Sequence, residues 1–259
     1  MVGQVYRVGL ADGRQIVAKT ASSPEAHLER EGFMLRYLAE NSRLPVPAVL
    51  HSSESLLLMA YVEGNSSFSP AAEAHAAVLL ADLHSVTAPA CGLERATLIG
   101  GLHQPNPWTD SWVDFFRDQR LLSMAGVAHR AGRLPDILLR RVEAFAGRLS
   151  DWLGEPERPA LLHGDVWTTN VLAAGGHITA FIDPAVYYGH PEIELAFITL
   201  FNTFGAAFFE RYGALRPITP GFWGERRDIY NLYPLLVHVR LFGGGYVGSI
   251  DRTLRRFGC

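Results

Sequence analysis

Lysine is almost absent from this chain of 259 residues, which carries 22 arginines and a single lysine, Lys19. Cysteine is equally scarce. Cys91 and Cys259 are the whole supply, too few and too casually placed for a disulfide framework or a zinc site, so both are expected to be reduced. No apolar run is long and uninterrupted enough to cross a bilayer, and the first residues lack the basic flank and apolar stretch of a secretory signal. A cytoplasmic protein without a membrane partner is expected. The formal net charge is only -3, with both signs interleaved along the chain, which argues against a nucleic-acid surface and for a small-molecule partner. There is no internal repeat and no low-complexity segment. The length suffices for one bulky domain or two lobes with a substantial core.

What is present concentrates in the middle of the chain. His163, Gly164, Asp165, Val166, Trp167, Thr168, Thr169 and Asn170 are followed shortly by Phe181, Ile182, Asp183 and Pro184. Each residue alone is an ordinary turn former. The ordered set is far more specific: an apolar strand end, a tight loop with Asp165 and Asn170 at its two ends, a hairpin through Gly175-Gly176, and an aspartate that the hairpin returns beside the loop. Metal-assisted phosphoryl transfer needs a carboxylate beside the acceptor hydroxyl and two oxygen ligands that hold Mg²⁺ against nucleotide phosphates. Asp165 fits the first role, Asn170 and Asp183 the second.

The lone lysine supports this. Lys19 closes the strand Gln15 to Lys19, and a slim ammonium that reaches phosphates while pairing with a carboxylate does what a wide guanidinium fork does poorly. Its partner is expected on the next helix. Ser23 as cap and Pro24 at the first helical position give a start, after which His27, Leu28, Glu31, Leu35 and Leu38 recur at helical spacing. Glu31 thus shares a face with apolar residues, where an unpaired carboxylate is costly.

The order of elements suggests an α+β chain with two lobes. Two strands around Asp12-Gly13, the Glu31 helix, a strand near Val49 and another from Leu56 to Val62 make a small β-rich lobe over residues 1–63, which ends in the linker Glu63 to Ser67. Adenine is expected against apolar side chains and backbone groups around Met59, Ala60 and Tyr61. Residues 64–259 form a larger helical lobe, with helices expected over 71–84, 112–122, 135–152, 194–211 and 225–241. The catalytic loop then lies near the interface between the lobes.

With those residues in hand, the chain resembles the fructosamine kinase (ketosamine-3-kinase) family within the aminoglycoside-phosphotransferase-like, protein-kinase-like folds. Trp167 stands where the family places tryptophan in its HGDLW motif. The run Asp183 to Ala196 is similar to its DPA…YGHRE…DLA signature, with Pro191 where arginine is common. Leu232 to Tyr246 is similar to LYHLLNHLNLFGGGY, with changes at Pro234 and Arg240. The resemblance implies a two-lobed kinase fold and ATP- and Mg²⁺-dependent phosphorylation of the 3-hydroxyl of a ketoamine, either a small sugar-amine or a glycated protein side chain. In that setting Trp167 offers an indole face to the sugar ring and His238 a hydrogen bond to a neighbouring hydroxyl.

One departure stands out. Members of this fold begin with an additional strand and a glycine-containing loop over the phosphates, whereas Met1 to Gln4 already occupy the start of the second strand, so the first strand and the phosphate lid are expected to be missing and ATP affinity weakened. Two rival readings remain. A kinase for an aminoglycoside, choline or related alcohol has an acidic pocket, to which Glu192 and Glu194 are candidates. A degenerate, non-catalytic binding protein has no physical need for all four of Lys19, Asp165, Asn170 and Asp183.

Overall fold

The computed structural model describes residues 3–22 and 27–259. Its N-terminal part is an antiparallel sheet of four strands, β1 (Gly3–Gly9), β2 (Gln15–Ala21), β3 (Val49–Ser52) and β4 (Leu56–Ala60), in the order β1-β2-β4-β3. Gly13, in the left-handed region at φ 84°, closes the β1-β2 hairpin. Helix α1 (Leu28–Asn41) packs its buried face, Leu28, Met34, Leu35 and Leu38, toward the sheet and the rest of the molecule. The start expected from Ser23 and Pro24 lies outside the described residues. The helix itself begins at Leu28, because His27 is left-handed (φ 47°) and no helix runs through it.

The helical part starts at α2 (Pro70–Leu83), capped by Ser69, whose hydroxyl accepts from the Ala72 N–H at 3.3 Å. A hairpin follows, β5 (Thr97–Ile99) and β6 (Leu102–Gln104), with Gly100 and Gly101 both left-handed at its tip. Next come α3 (Trp112–Phe115), a π-helical segment (Phe116–Leu122) and α4 (Ser123–Arg130) in one continuous run, then α5 (Asp136–Ala146). Strand β7 (Ala160–Leu162) leads into the loop of interest, and the hairpin β8 (Val171–Ala174) and β9 (His177–Phe181) leads out of it. The short strand β10 (Tyr187–Gly189) pairs antiparallel with β7. Helices α6 (Glu192–Leu200), α7 (Ala206–Leu215), α8 (Arg227–Tyr230), α9 (Leu232–Phe242) and α10 (Tyr246–Arg256) complete the chain.

Several helical boundaries differ from those expected. The 135–152 stretch ends as a regular helix at Ala146, before Gly147, and closes with a 3₁₀ turn at Leu149–Asp151. The 194–211 stretch is two helices, interrupted where Asn202 turns left-handed (φ 51°) and Gly205 precedes α7. The 225–241 stretch is divided among a π-helical turn (Phe222–Arg226), α8 and α9. Apolar periodicity continues across each break because both pieces bury a face in the same core, so spacing alone does not reveal it. One large core holds the helical part together, while Leu28, Leu35, Leu57 and Met59 form a small cluster between α1 and the sheet.

Candidate active site

The loop between β7 and β8 is set by a glycine. Gly164 is left-handed (φ 84°), and a Cβ there would stand 2.1 Å from the Ala185 carbonyl oxygen, a distance no side chain tolerates. That carbonyl also accepts from Gln104 Nε2 at 3.0 Å, and the Ala185 N–H donates to the His163 carbonyl at 2.7 Å. The segments on either side of the β8-β9 hairpin are thereby locked together, one carrying Asp165 and the other Asp183.

At the bottom of the loop, Asn170 Nδ2 donates to Asp165 Oδ2 at 2.9 Å and to the Asp165 carbonyl at 3.1 Å. Burial, reinforced by the negative charge of Asp183, pushes the Asp165 carboxyl up to about 8 against the opposing Asn170 hydrogen bond. Across the cleft, Lys19 Nζ donates to Glu31 Oε1 at 2.7 Å and forms an ion pair with Asp183. Burial alone would lower the ammonium, but the two carboxylates more than offset it and Lys19 is raised. Glu31 is pushed up to about 7 by burial, with Lys19 opposing. Asp183 adopts a left-handed backbone (φ 52°), a conformation an aspartate tolerates better than a bulky residue. A cleft of about 310 Å³ is lined by Lys19, Glu31, Gly101, Asp165, Asn170 and Asp183, among others.

The donor chemistry of the cleft suits a hard cation. The Asn170 amide nitrogen is committed to Asp165, which leaves its Oδ1, met only by the Thr169 hydroxyl at 3.5 Å, as the acceptor, and Asp183 contributes a carboxylate to the same cleft. An amide oxygen and a carboxylate are Mg²⁺-type ligands, a class of ion that keeps several waters and takes further oxygens from phosphates. Among the described residues no cluster of three or more His, Cys, Asp or Glu has metal-holding geometry, so two protein ligands with phosphate and water is the arrangement these residues fit.

Met59 and Tyr61 sit differently from the other candidates. Met59 is buried in the small cluster with Leu28, Leu35 and Leu57, and Tyr61 lies beneath the Arg7 guanidinium at 4.1 Å. The N–H groups of Ala60 and Tyr61 are donated to the Ala48 and Gln15 carbonyls, so neither is free for a base. Trp167 lines the main cleft, and its ring lies 6.4 Å from that of His238. His238 borders a small apolar cavity shared with Asp165, Tyr187, Tyr233 and Phe197. Because a carbonyl only accepts, its contact with the Pro234 oxygen at 2.8 Å fixes the proton on Nδ1 and leaves Nε2 as an acceptor.

Sequence reasoning missed the device behind the loop. Glu194 on α6 accepts from the Gly164 N–H at 2.6 Å and contacts His84 Nε2 at 2.9 Å, and His84 Nδ1 meets the Tyr212 hydroxyl at 2.7 Å. Glu192 is occupied as well, by Arg226 at 2.7 Å through both oxygens and by the Thr219 hydroxyl at 2.8 Å. Both glutamates are buried and engaged, and Glu194 lines the small cavity beside Asp165. No local pattern marks His84, since its partners lie more than 100 residues away in sequence. Both cysteines are free, and burial pushes the Cys91 thiol up to about 12.

A fructosamine kinase family model matches residues 2–257. The chain belongs to the fructosamine kinase family. A Synechocystis protein named probable ketoamine kinase is 40% identical over 183 residues, which is 68% of this chain and 59% of that protein's length. A crystal structure from Thermobifida fusca, named "putative fructosamine-3-kinase", superposes with a TM-score of 0.87 at 32% identity and covers 98% of this chain and 89% of that one. An aminoglycoside phosphotransferase solved with AMP-PNP and hygromycin B shares the fold alone, with a TM-score of 0.68 at 19% identity over 100% of this chain and 95% of its own. The sheet with its helix and the larger helical part are therefore the two-lobed, protein-kinase-like fold of these phosphotransferases. Among the described residues no helix is long and apolar enough to cross a membrane.

Proposed function

We propose that this family member is an ATP-dependent kinase that phosphorylates the 3-hydroxyl of a ketosamine such as a fructosamine or ribulosamine, with Asp165 as the catalytic base. The observation that carries this reading is the convergence of Asp165, Asn170, Asp183 and Lys19 on one cleft. Asn170 holds Asp165 Oδ2, so Oδ1 is the oxygen turned to the acceptor hydroxyl. As that hydroxyl oxygen bonds to the γ-phosphorus, the bond from phosphorus to the β-γ bridging oxygen breaks, ADP leaves, and the hydroxyl proton passes to Asp165. Lys19, held by Glu31, anchors the phosphates. When bound, Mg²⁺ would neutralise phosphate charge, and Asn170 Oδ1 and Asp183 are the groups that would hold it. Trp167 supplies a flat apolar face for the sugar, and neutral His238 accepts from a sugar hydroxyl through Nε2.

We place the nucleotide lobe at residues 1–63 and the helical lobe at 64–259, and the protein in the cytoplasm, acting on free sugar-amines or glycated side chains. The engagement of Glu192 and Glu194 disfavours a polycationic aminoglycoside. The test is ADP release with a panel of ribulosamines and fructosamines, with the modified hydroxyl located by NMR. Phosphorylation at C3 is the expected result. Turnover only with aminoglycosides or choline, or with none of these alcohols, would overturn the proposal.

A further inference from the structure

The substrate side of Asp165 carries a feature that the transfer step does not use. His238 is the hub of an aromatic cluster: its ring centroid lies 4.8 Å from Phe201, 5.0 Å from Tyr246, 5.6 Å from Phe242 and 6.4 Å from Trp167. Trp167 and Phe201 are themselves 5.7 Å apart. The rings come from separate places, the catalytic loop, the turn after α6, α9 and the start of α10, so the cluster is not a by-product of one helix's spacing. Nor is it sealed. Phe242 is 63% exposed, and Trp167, Phe201, His238 and Tyr246 are each half-buried. Through His238 and Trp167 the cluster reaches two hollows that Asp165 also lines, and a partly exposed aromatic cluster so placed calls for an occupant.

The proposed substrate has two halves. A sugar carries the reacting hydroxyl, and two carbons away sits a secondary amine that is protonated near neutral pH. Glu192 is engaged by Arg226, and Glu194, which lines the small cavity shared by His238 and Asp165, is engaged by His84 and the Gly164 N–H. Ring faces attract an organic cation and shelter the carbon chain attached to it. We propose that Phe201, Phe242 and Tyr246, arranged around His238, form the subsite for the amine half of the ketosamine. The ring faces take the ammonium, and the exposed Phe242 is the edge over which the amine's substituent leaves the cleft, so the carrier of that amine can be larger than the cleft itself.

This inference rests on the ketosamine reading, and the experiment separates the two. Binding of an N-alkyl-1-amino-1-deoxyketose and of its neutral 1-O-alkyl ether isostere is measured by calorimetry, with turnover of both followed in parallel, for the wild type, Phe242→Ala and Tyr246→Leu. Loss of a partly desolvated cation–π contact corresponds to about 5- to 30-fold in affinity. The wild type is expected to bind the amine more tightly than the ether by a factor in that range, and each variant to lose most of that preference while ether binding changes little. Equal weakening of both ligands, or a preference that survives both substitutions, overturns the inference while leaving the kinase reading intact. Selective amine binding without any phosphorylation does the reverse. Binding of neither ligand by the wild type refutes the subsite.

Discussion

Lys19 stands between two carboxylates, with its ammonium on Glu31 Oε1 at 2.7 Å and on Asp183 across the cleft. An ammonium is a compact charge on a flexible stem and turns between such partners, whereas a guanidinium is a planar fork that commits to one. Lys19→Arg therefore retains the charge and loses the geometry. Hydrogen bonds to charged groups are worth roughly 1.5–3 kcal/mol, so the KM for ATP is expected to rise at least about 10-fold, read from initial rates at varied ATP. Unchanged ATP dependence would show that the ammonium does not serve the phosphates.

The hydrogen bond from Asn170 to Asp165 makes Asp165→Asn a clean test of the base. The replacement keeps shape and loses the proton acceptor, so kcat is expected to fall by about 10²–10⁴, while nucleotide binding, measured by calorimetry, persists. Near-normal turnover in this variant would assign the proton to another group. Asp183→Ala should act the other way and weaken Mg·ATP binding first.

Gly164→Ala is a stability prediction. The new Cβ would press on the Ala185 carbonyl at 2.1 Å in a left-handed backbone, and strain with clash of this kind costs about 2–4 kcal/mol. The thermal midpoint is expected to drop by several degrees. A midpoint equal to the wild type would mean that the loop relaxes freely.

Glu194 gives a pH signature. Although burial works to raise it, hydrogen bonding and charge from His84, with help from His163 and the Gly164 N–H, hold its carboxyl below the ordinary value of 4.5. A depressed folded-state value means that the stabilisation is fully present above the unfolded value and is lost as pH falls through the folded one. Glu194→Gln removes one charged acceptor from a buried pair, at a cost of about 3 kcal/mol near neutrality. Urea unfolding of the two proteins should show a constant gap from pH 7 to 5 that narrows below about 4.5. A gap that widens on acidification would refute the assignment.

Much of the architecture was legible in the chain because it is written locally. The Asp12-Gly13 and Gly175-Gly176 hairpins and the inward face of α1 depend on turn chemistry and spacing within a few residues. The ordered run from His163 to Asp183 likewise named residues that now line one cleft. What spacing did not reveal is long-range. The interruption at Asn202, the packing of α10 and the Tyr212–His84–Glu194 chain depend on partners distant in sequence. Glu192 and Glu194 were open to two interpretations until Arg226 and Gly164 were seen beside them. Around Met59 to Tyr61 the sequence could not say which N–H groups the sheet consumes, because that depends on register.

The solitary lysine has a bearing on self-protection. Reducing sugars condense with free amines, so an exposed ε-amino group is a target for them. Here the single ε-amino group has a side chain only 13% accessible and is tied up by two carboxylates, while every other basic side chain of the Lys/Arg pair is a guanidinium. The molecule thus presents almost no lysine surface to such reagents, and an amine-directed reagent that did react at Lys19 would report directly on whether the cleft it lines is open.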